Sequence, residues 1–179
     1  QAAGTPLITY GVDTSGMAGT HLRSARCAVA RAVAATGGGK GHDATLYAAD
    51  AAAGTVDPAF GAHVLPLKML AMAWWQSWQP DKALDTAVRR ARCRVLHNGE
   101  PQGGKVTGPI GAAVASAARL GWNFVTSSMV RCDDGSYLDL RLDSPMAVAD
   151  AVRFAVRRWR VQWLAAAFPD LVPPAPDFE

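Results

Sequence analysis

Residues 108–168 read GPIGAAVASAARLGWNFVTSSMVRCDDGSYLDLRLDSPMAVADAVRFAVRRWRVQWLAAAF, and this stretch decides the fold. Its pattern predicts a helix, a β-hairpin and a second helix, which together form an αββα unit. Pro109 is pre-set for a first helical turn, and Gly121 suits the end of the same helix. Two segments rich in β-branched, aromatic and alternating apolar residues follow, and Asp134-Gly135 between them favours a tight hairpin turn.

The second helix of the unit begins at Pro145, directly after the capping residues Asp143 and Ser144. Apolar residues recur along it at helical spacing, which places them on one narrow stripe. The stripe consists of Val148, Val152, Val156, Trp159 and Trp163, and a second stripe beside it consists of Arg153, Arg157 and Arg160. We therefore expect one face of this helix to join the core and the neighbouring face to be basic.

Residues 1–98 form the predicted helical region. We expect helices over residues 19–35, 44–51, 58–78 and 80–96, a polar loop over residues 99–108 and an irregular proline-rich tail over residues 169–179. The helix at 58–78 is apolar nearly all round, which is typical of a central, buried helix, and Pro66 predicts a kink or a restart near Val64. The fold class is therefore α+β and mostly helical: a helical bundle with one β-hairpin, whose C-terminal αββα unit (residues 109–168) packs on the helical region.

Length and composition limit the class of protein. The 179 residues suffice for one domain with a real core or for two small ones, and a hydrophobic content of 50% opposes disorder. No apolar run reaches the ~18 residues of a membrane helix, so we expect no membrane association. The three cysteines are far apart and odd in number, which fits a reducing, intracellular compartment and leaves nucleus and cytoplasm open. Residue 1 is glutamine rather than methionine, which favours a fragment or a processed product.

The basic residues point weakly to an anionic partner. The net charge is +3, the pI is near 9.0, and most of the 18 basic residues are arginine. Arginine suits bidentate contact with phosphate, although solvation of the helices, pairing with acids such as Asp150 or a codon bias would equally explain the pattern. The candidate phosphate-contacting residues lie on two predicted helices: Arg89, Arg90 and Arg92 on the first, and Arg153, Arg157 and Arg160 on the second.

Two short motifs with acidic residues are similar to catalytic motifs. Asp133-Asp134 at a hairpin tip is similar to the carboxylate pair that holds Mg²⁺ in polymerases. The sequence supplies no third carboxylate at a matching place, however, and Arg131 opposes a cation there. We therefore predict a structural Asp-Gly turn and no catalytic metal. Asp13-Thr14-Ser15-Gly16 departs from the loop of aspartic proteases, since Ser15 stands where that loop needs glycine, and a capping turn is the better interpretation.

The remaining motifs assign no chemistry. The glycine-rich residues 37–41 lack the preceding strand and the Ser or Thr of a phosphate-binding loop. Histidines at positions 21, 42, 63 and 97 have no partner at zinc-ligand spacing, and no feature of the sequence supports a nucleophilic Cys-His pair. Trp74, Trp75 and Trp78 could stack bases, but their helical spacing favours the core. We therefore assign no catalytic residue, no metal and no cofactor.

Several short stretches nevertheless resemble one family. They are residues 7–11 (LITYG), Leu22-Arg23, Asp57-Pro58, Trp74-Trp75, residues 108–112 (GPIGA), residues 120–122 (LGW), Ser144-Pro145 and Arg158-Trp159. In these the chain resembles the region just after the catalytic palm in LINE-like (non-LTR) retrotransposon reverse transcriptases. The resemblance implies a thumb or connection region that grips the template–primer duplex, within a polyprotein that copies RNA into DNA. It carries over no catalytic residue, because the aromatic-x-Asp-Asp strand is missing.

We therefore expect a non-catalytic module that binds the backbone of duplex nucleic acid weakly and that has the rest of a larger polyprotein as its other partner. Two alternatives stay open. One is a winged-helix-like DNA-binding module, with helix 109–120 in a groove and hairpin 123–142 as the wing. The other is an enzyme of unrecognised type, built on Cys, His and Asp residues that are scattered in sequence.

Overall fold

The computed structural model describes residues 9–34, 41–50 and 56–167. The predictions for Leu7 and Ile8, for the glycines at 37–39 and for the tail at 169–179 lie outside the described residues. Within this part of the chain there are seven α-helices and two small antiparallel sheets. The predicted class, a mostly helical α+β fold, is confirmed.

The helices are α1 Val12–Ser15, α2 Gly19–Val33, α3 His42–Ala49, α4 Pro58–Trp75, α5 Asp81–Val95, α6 Gly108–Arg119 and α7 Pro145–Ala167. The strands are β1 Leu96–His97, β2 Glu100–Pro101, β3 Asn123–Phe124, β4 Met129–Arg131 and β5 Tyr137–Asp139, and a 3-10 turn covers Gly103–Lys105. None of the helices traced over these residues is long and apolar enough to cross a membrane.

Helix α4 is the centre of the molecule, as its nearly uniform apolar sequence predicted. It begins where Asp57 accepts a hydrogen bond from the backbone N–H of Ala59 at 2.9 Å, and Pro58 occupies the first turn. α6 and α7 make the most extensive contacts with α4, and α1 and α2 also contact it. A helix covered on several sides has no polar face, which explains its composition.

The restart predicted at Pro66 does not occur, because α4 runs as one helix through that position. Proline has no N–H, so the carbonyl of Ala62, four residues earlier, loses its usual donor. The hydroxyl of Ser116 on α6 donates to that carbonyl at 3.3 Å. A neighbouring helix therefore compensates for the bond that the proline removes.

The C-terminal unit is αβββα rather than αββα. The segment predicted as the first hairpin strand folds back on itself, so that β3, β4 and β5 form a three-stranded sheet in that order. The hydroxyl of Thr126 accepts from the N–H of Met129 at 2.9 Å and closes the extra turn. The predicted turn between β4 and β5 is confirmed, and Gly135 there has a φ of 85°.

The segment predicted as a loop at 99–108 contains the second strand of a short hairpin that begins at Leu96. β1 and β2 pair around Asn98-Gly99, both of which have positive φ, as a tight two-residue turn requires. The 3-10 turn then leads into α6.

One core joins α4 to α7, as predicted. Val148, Val152 and Val156 are completely buried, and the core extends continuously from α1 to α7. The helical region and the αβββα unit therefore share a single core. The apolar stripe of α7 extends beyond that core, however, because Trp159 is only partly buried and Trp163 is 47% exposed.

Candidate functional site

Arg160 is buried, so the prediction that it lies in an exposed, phosphate-contacting row is wrong. Its side chain is 4% exposed, and its Nε lies 3.3 Å from Oδ2 of Asp57. A second carboxylate, Asp50, lies 3.7 Å from its Nη1. Burial lowers the pKa of the Arg160 guanidinium, while the two carboxylates oppose that shift. Arg160 therefore belongs to the interior of the fold.

Asp57 connects Arg160 to a second arginine. Its carboxylate also accepts from Nε and Nη2 of Arg26, each at 3.0 Å, and Arg26 reaches Asp43 at 2.6 Å. Asp50 accepts from the backbone N–H groups of Val56 and Asp57 at 3.0 Å. This buried ion network links α2, α3, α4 and α7. Removing one member of such a network leaves an uncompensated charge in the interior.

The other two arginines of the α7 stripe also have local contacts. Arg153 pairs with Asp150 at 2.6 Å, the acidic neighbour that the sequence suggested as an alternative. Arg157 lies over the ring of Phe154, 5.4 Å from its centroid, and is partly buried. The row expected along α7 thus divides into one buried, one ion-paired and one packed side chain.

The arginines of α5 are more exposed. Arg89 pairs with Asp85 at 2.8 Å, yet its side chain remains 71% exposed. Arg90 is exposed, and Arg92 is partly buried. Of the three predicted residues on this helix, only Arg90 lines the cleft between α5 and α6.

That cleft, the α5–α6 groove, has a volume of about 750 Å³. Along α5 it is lined by Lys82, Thr86, Arg90 and Arg94, at steps of four residues, and on the other side by Thr107 and residues 108–111 at the start of α6. Its floor consists of small apolar residues such as Ala87 and Ala91, and none of the lining residues that the structure describes is acidic. The four-residue spacing was visible in the sequence, but only the packing of α6 shows which face of α5 borders a groove.

The N-terminus of α6 adds to the positive potential of the groove. No side chain caps this helix, and the first N–H groups of a helix carry a partial positive charge. Arg94 donates to the carbonyl of Thr107 at 3.3 Å, which holds its guanidinium beside the helix start.

Asp133 and Asp134 are bound by side chains of the protein. Arg158 donates to Asp133 through two nitrogens at 2.7 Å and lies 3.3 Å from Asp134. Trp122 Nε1 also donates to Asp133, at 2.8 Å. These hydrogen bonds, with that of Arg158 the strongest, lower the pKa of Asp133. Over residues 9–34, 41–50 and 56–167, no cluster of three or more His, Cys, Asp and Glu side chains could hold a metal ion.

The three tryptophans near the end of α4 differ. Trp74 is buried, as predicted, and Arg141 lies over its ring at 4.7 Å. Trp75 and Trp78 are about half exposed, so the prediction that they belong to the core is wrong. Trp75 is the last residue of α4, and Trp78 lies beyond the helix end.

A second cavity, of about 370 Å³, lies among α2, α3, α4, α6 and α7. Cys27 and His42 meet at its wall, with Sγ 3.5 Å from Nδ1. Cys27 and His42 lie on different helices, so their spacing in the sequence does not indicate that they meet. A nucleophilic cysteine also needs its histidine oriented by a third group, and among the residues placed by the structure no hydrogen bond orients His42.

His63 and Arg119 line the same cavity. His63 is 2% exposed, and burial, followed by the charges of Arg119 and Arg26, lowers its pKa to about 3. Its Nδ1 has no hydrogen-bond partner in the described part of the chain. Arg119 donates to the carbonyl of Met17, and within the described ranges it forms no ion pair with a carboxylate. Burial lowers the pKa of Arg119.

No family model, curated protein or solved structure matches the chain at a significant level. Its function is therefore inferred from the residues and their geometry.

Proposed function

We propose that the chain is a non-catalytic module that binds the backbone of nucleic acid, and that the α5–α6 groove is its contact surface. The observation that carries the proposal is the arrangement of Lys82, Arg90 and Arg94 along a groove whose described lining residues include no acid. Guanidinium groups and free helix N–H groups are the donors that phosphate oxygens accept from most often.

The dimensions of the row suit a backbone. With a rise of about 1.5 Å per residue, the distance along α5 from Lys82 to Arg94 is roughly 18 Å. One strand of duplex advances about 3.4 Å along the axis per phosphate, so the row spans roughly five phosphates. Three cations over that length support weak binding that does not depend on base sequence, because no base edge needs to be reached.

The arginines of α7 have no part in this surface. Arg160 is buried, Arg153 is paired with Asp150, and Arg157 packs on an aromatic ring. Arg89 and Arg92, on other faces of α5, add positive field near the groove without lining it.

The winged-helix alternative has little support. Residues 111–117 of α6 are all buried against the rest of the fold, so this helix cannot enter a nucleic-acid groove. Its single arginine, Arg119, lines the second cavity instead. The enzyme alternative rests on Cys27 and His42, which lack an orienting group among the residues that the structure describes.

The resemblance to the region after a reverse-transcriptase palm extends the proposal. In a longer polyprotein, the α5–α6 groove would hold the backbone of a template–primer duplex beside the catalytic domain. The remainder of that polyprotein would be the second partner of this module.

A fluorescence anisotropy titration with a short labelled duplex tests the groove. We expect the parent to bind, with an affinity that falls steeply between about 50 and 200 mM salt. The variant Lys82→Gln/Arg90→Gln/Arg94→Gln should bind weakly. The slope of its log binding constant against log salt concentration should be flatter by about 2–3, since each phosphate contact contributes about 0.9 to that slope.

The matched control removes three positive charges elsewhere, two of them exposed and the third partly buried. Arg31, Arg131 and Arg153 do not line the groove, so their triple replacement by glutamine should retain most of the affinity. Equal losses in the two triple variants would mean that only net charge matters. That result, or an absence of binding by the parent at low salt, would overturn the proposal.

A further inference from the structure

The second cavity, which is open to solvent at Arg23 and Trp163, has an excess of positive charge among its described lining residues. Arg23, Arg26 and Arg119 line it, whereas Asp43 is the only acid among the lining residues that the structure describes. Arg26 is neutralised by Asp43 and by Asp57. No carboxylate of the described chain pairs with Arg119, although that side chain is partly buried. A buried cation without a counter-charge is costly, and an anion in the cavity would offset that cost.

His63 supplies a second, independent indication of a ligand. Its ring lines the cavity and is almost completely buried, and its Nδ1 lacks a hydrogen-bond partner within the described ranges. Buried polar atoms are normally paired, because an unmade hydrogen bond costs about 1–3 kcal/mol. A neutral imidazole protonated at Nδ1 can donate to an oxygen of a bound anion.

The walls of the cavity favour a ring. Trp159 and Trp163 both line it, with their ring centroids 6.4 Å apart and their planes at 49°. The volume of about 370 Å³ lies near the lower end of small-molecule sites, which span about 300–1,000 Å³. This space suits one planar group with one anionic substituent, and it is too small for a length of nucleic-acid duplex.

We propose that this cavity binds a small organic anion that carries a planar ring. Arg119 and Arg23 hold the carboxylate or phosphate group, and Nδ1 of His63 donates to one of its oxygens. The ring packs against Trp159 and Trp163. The site is separate from the α5–α6 groove, since the two have no lining residue in common in the described part of the chain.

Cys27 provides a reporter for the site, because its thiol lines the cavity, whereas Cys93 is exposed on α5. The full chain is alkylated with iodoacetamide in the presence of inorganic phosphate, adenosine 5′-monophosphate or benzoate. Mass spectrometry then follows the peptides of both cysteines. We expect adenosine 5′-monophosphate or benzoate to slow alkylation of Cys27 saturably by about tenfold or more, and to leave the rate at Cys93 unchanged.

The three probes separate the sources of the anion. Protection by benzoate alone identifies a carboxylate ligand, and protection by adenosine 5′-monophosphate alone identifies a phosphate monoester. Equal protection by inorganic phosphate would show that the ring contributes nothing and would overturn the proposal as stated. Protection by none of the three probes, or only by the duplex used for the groove, would also overturn it.

Two matched variants on α2 locate the contact. Arg23 and Arg31 are both exposed, but only Arg23 lines the cavity. Arg23→Gln should raise the probe concentration for half-protection by about tenfold, the value of one charge-assisted hydrogen bond, and Arg31→Gln should leave it unchanged. Equal effects of the two variants would contradict the assignment. In the triple variant of the α5–α6 groove, the probes should protect Cys27 as they do in the parent. A loss of binding at the groove is therefore distinguishable from a loss of binding at the cavity.

Discussion

α5 and α7 carry arginines at similar helical spacing, yet the surroundings of these arginines differ between the two helices. α5 packs mainly against α6, and Arg90 and Arg94 remain on the surface beside a groove. α7 packs against α4 and α3, which bring Asp57 and Asp50 to Arg160. A basic helical stripe is thus a binding surface or a buried ion network according to the elements that meet it.

The largest expected effect is on the α7 side of this comparison. Arg160→Ala removes one cation from the buried network and leaves Asp57 and Asp50 with less compensation, so it should lower the free energy of unfolding by about 3–5 kcal/mol. Arg90→Ala, on the surface of α5, should change it by less than about 0.5 kcal/mol.

Urea denaturation followed by circular dichroism measures both variants. Similar unfolding free energies for Arg160→Ala and Arg90→Ala would show that the two helices do not differ in the way proposed.

The second prediction concerns pH and the interior beside α7, where His63 packs edge-on against Trp159 at 6.4 Å. The pKa of His63 is about 3 in the folded chain, below the 6.5 of an unperturbed histidine. The unfolded chain therefore takes up a proton first as the pH falls. Between about pH 6.5 and pH 3, His63 should reduce stability by about 1.4 kcal/mol per pH unit.

The difference between the parent and His63→Gln isolates this contribution, since glutamine does not titrate. Denaturation curves at several pH values in that range should show a shallower decline for the variant. His21→Gln, an exposed position on α2, is the control and should keep the slope of the parent. Parallel curves for the parent and His63→Gln would contradict a buried, neutral His63.

The smallest expected effect is on the surface of α7, at the pair formed by Arg158 and Asp133. The pKa of Asp133 is lowered in the folded chain. Asp133 therefore stabilises the fold at pH values above its unfolded pKa of about 4, and this stabilisation is lost as the pH falls through the lower pKa of the folded chain. Because Arg158 is more than one third exposed, solvent screening limits the pair, and Asp133→Asn should cost about 1 kcal/mol at neutral pH.

Thermal melts of the parent and of Asp133→Asn at pH 7 and near pH 2 compare the two conditions. The difference between the two proteins should shrink at the lower pH. A difference that persists near pH 2 would mean that the Trp122 contact or the turn itself, rather than the ion pair, depends on Asp133.

Much of the helical framework could be predicted from local signals. Asp57-Pro58 and Ser144-Pro145 mark the starts of α4 and α7, and the structure contains the expected cap bonds at Ala59 and Ala147. Caps and proline positions act within one turn of the backbone, so a single sequence carries them. The apolar residues on nearly all faces of α4 likewise predicted that this helix is central and buried.

The sheet was predicted less well. The alternating pattern of residues 123–132 favours one strand, but the hydroxyl of Thr126 accepts from the N–H of Met129 and Ser127 donates to Asp85 on α5. The second contact joins residues far apart in the chain. Periodicity cannot detect a turn that is stabilised by another element.

The functional surfaces depended almost entirely on tertiary packing. Helical spacing correctly groups residues into faces, because the rise and turn of a helix are properties of its own backbone. Which face meets solvent, an acid or a cavity depends on how distant helices dock, and that docking follows from the summed burial of many side chains. The contacts of Arg160 with Asp57, of Cys27 with His42 and of Arg94 with the start of α6 each join two different elements. They therefore depend on how the helices dock and cannot be deduced from the pattern of any single helix.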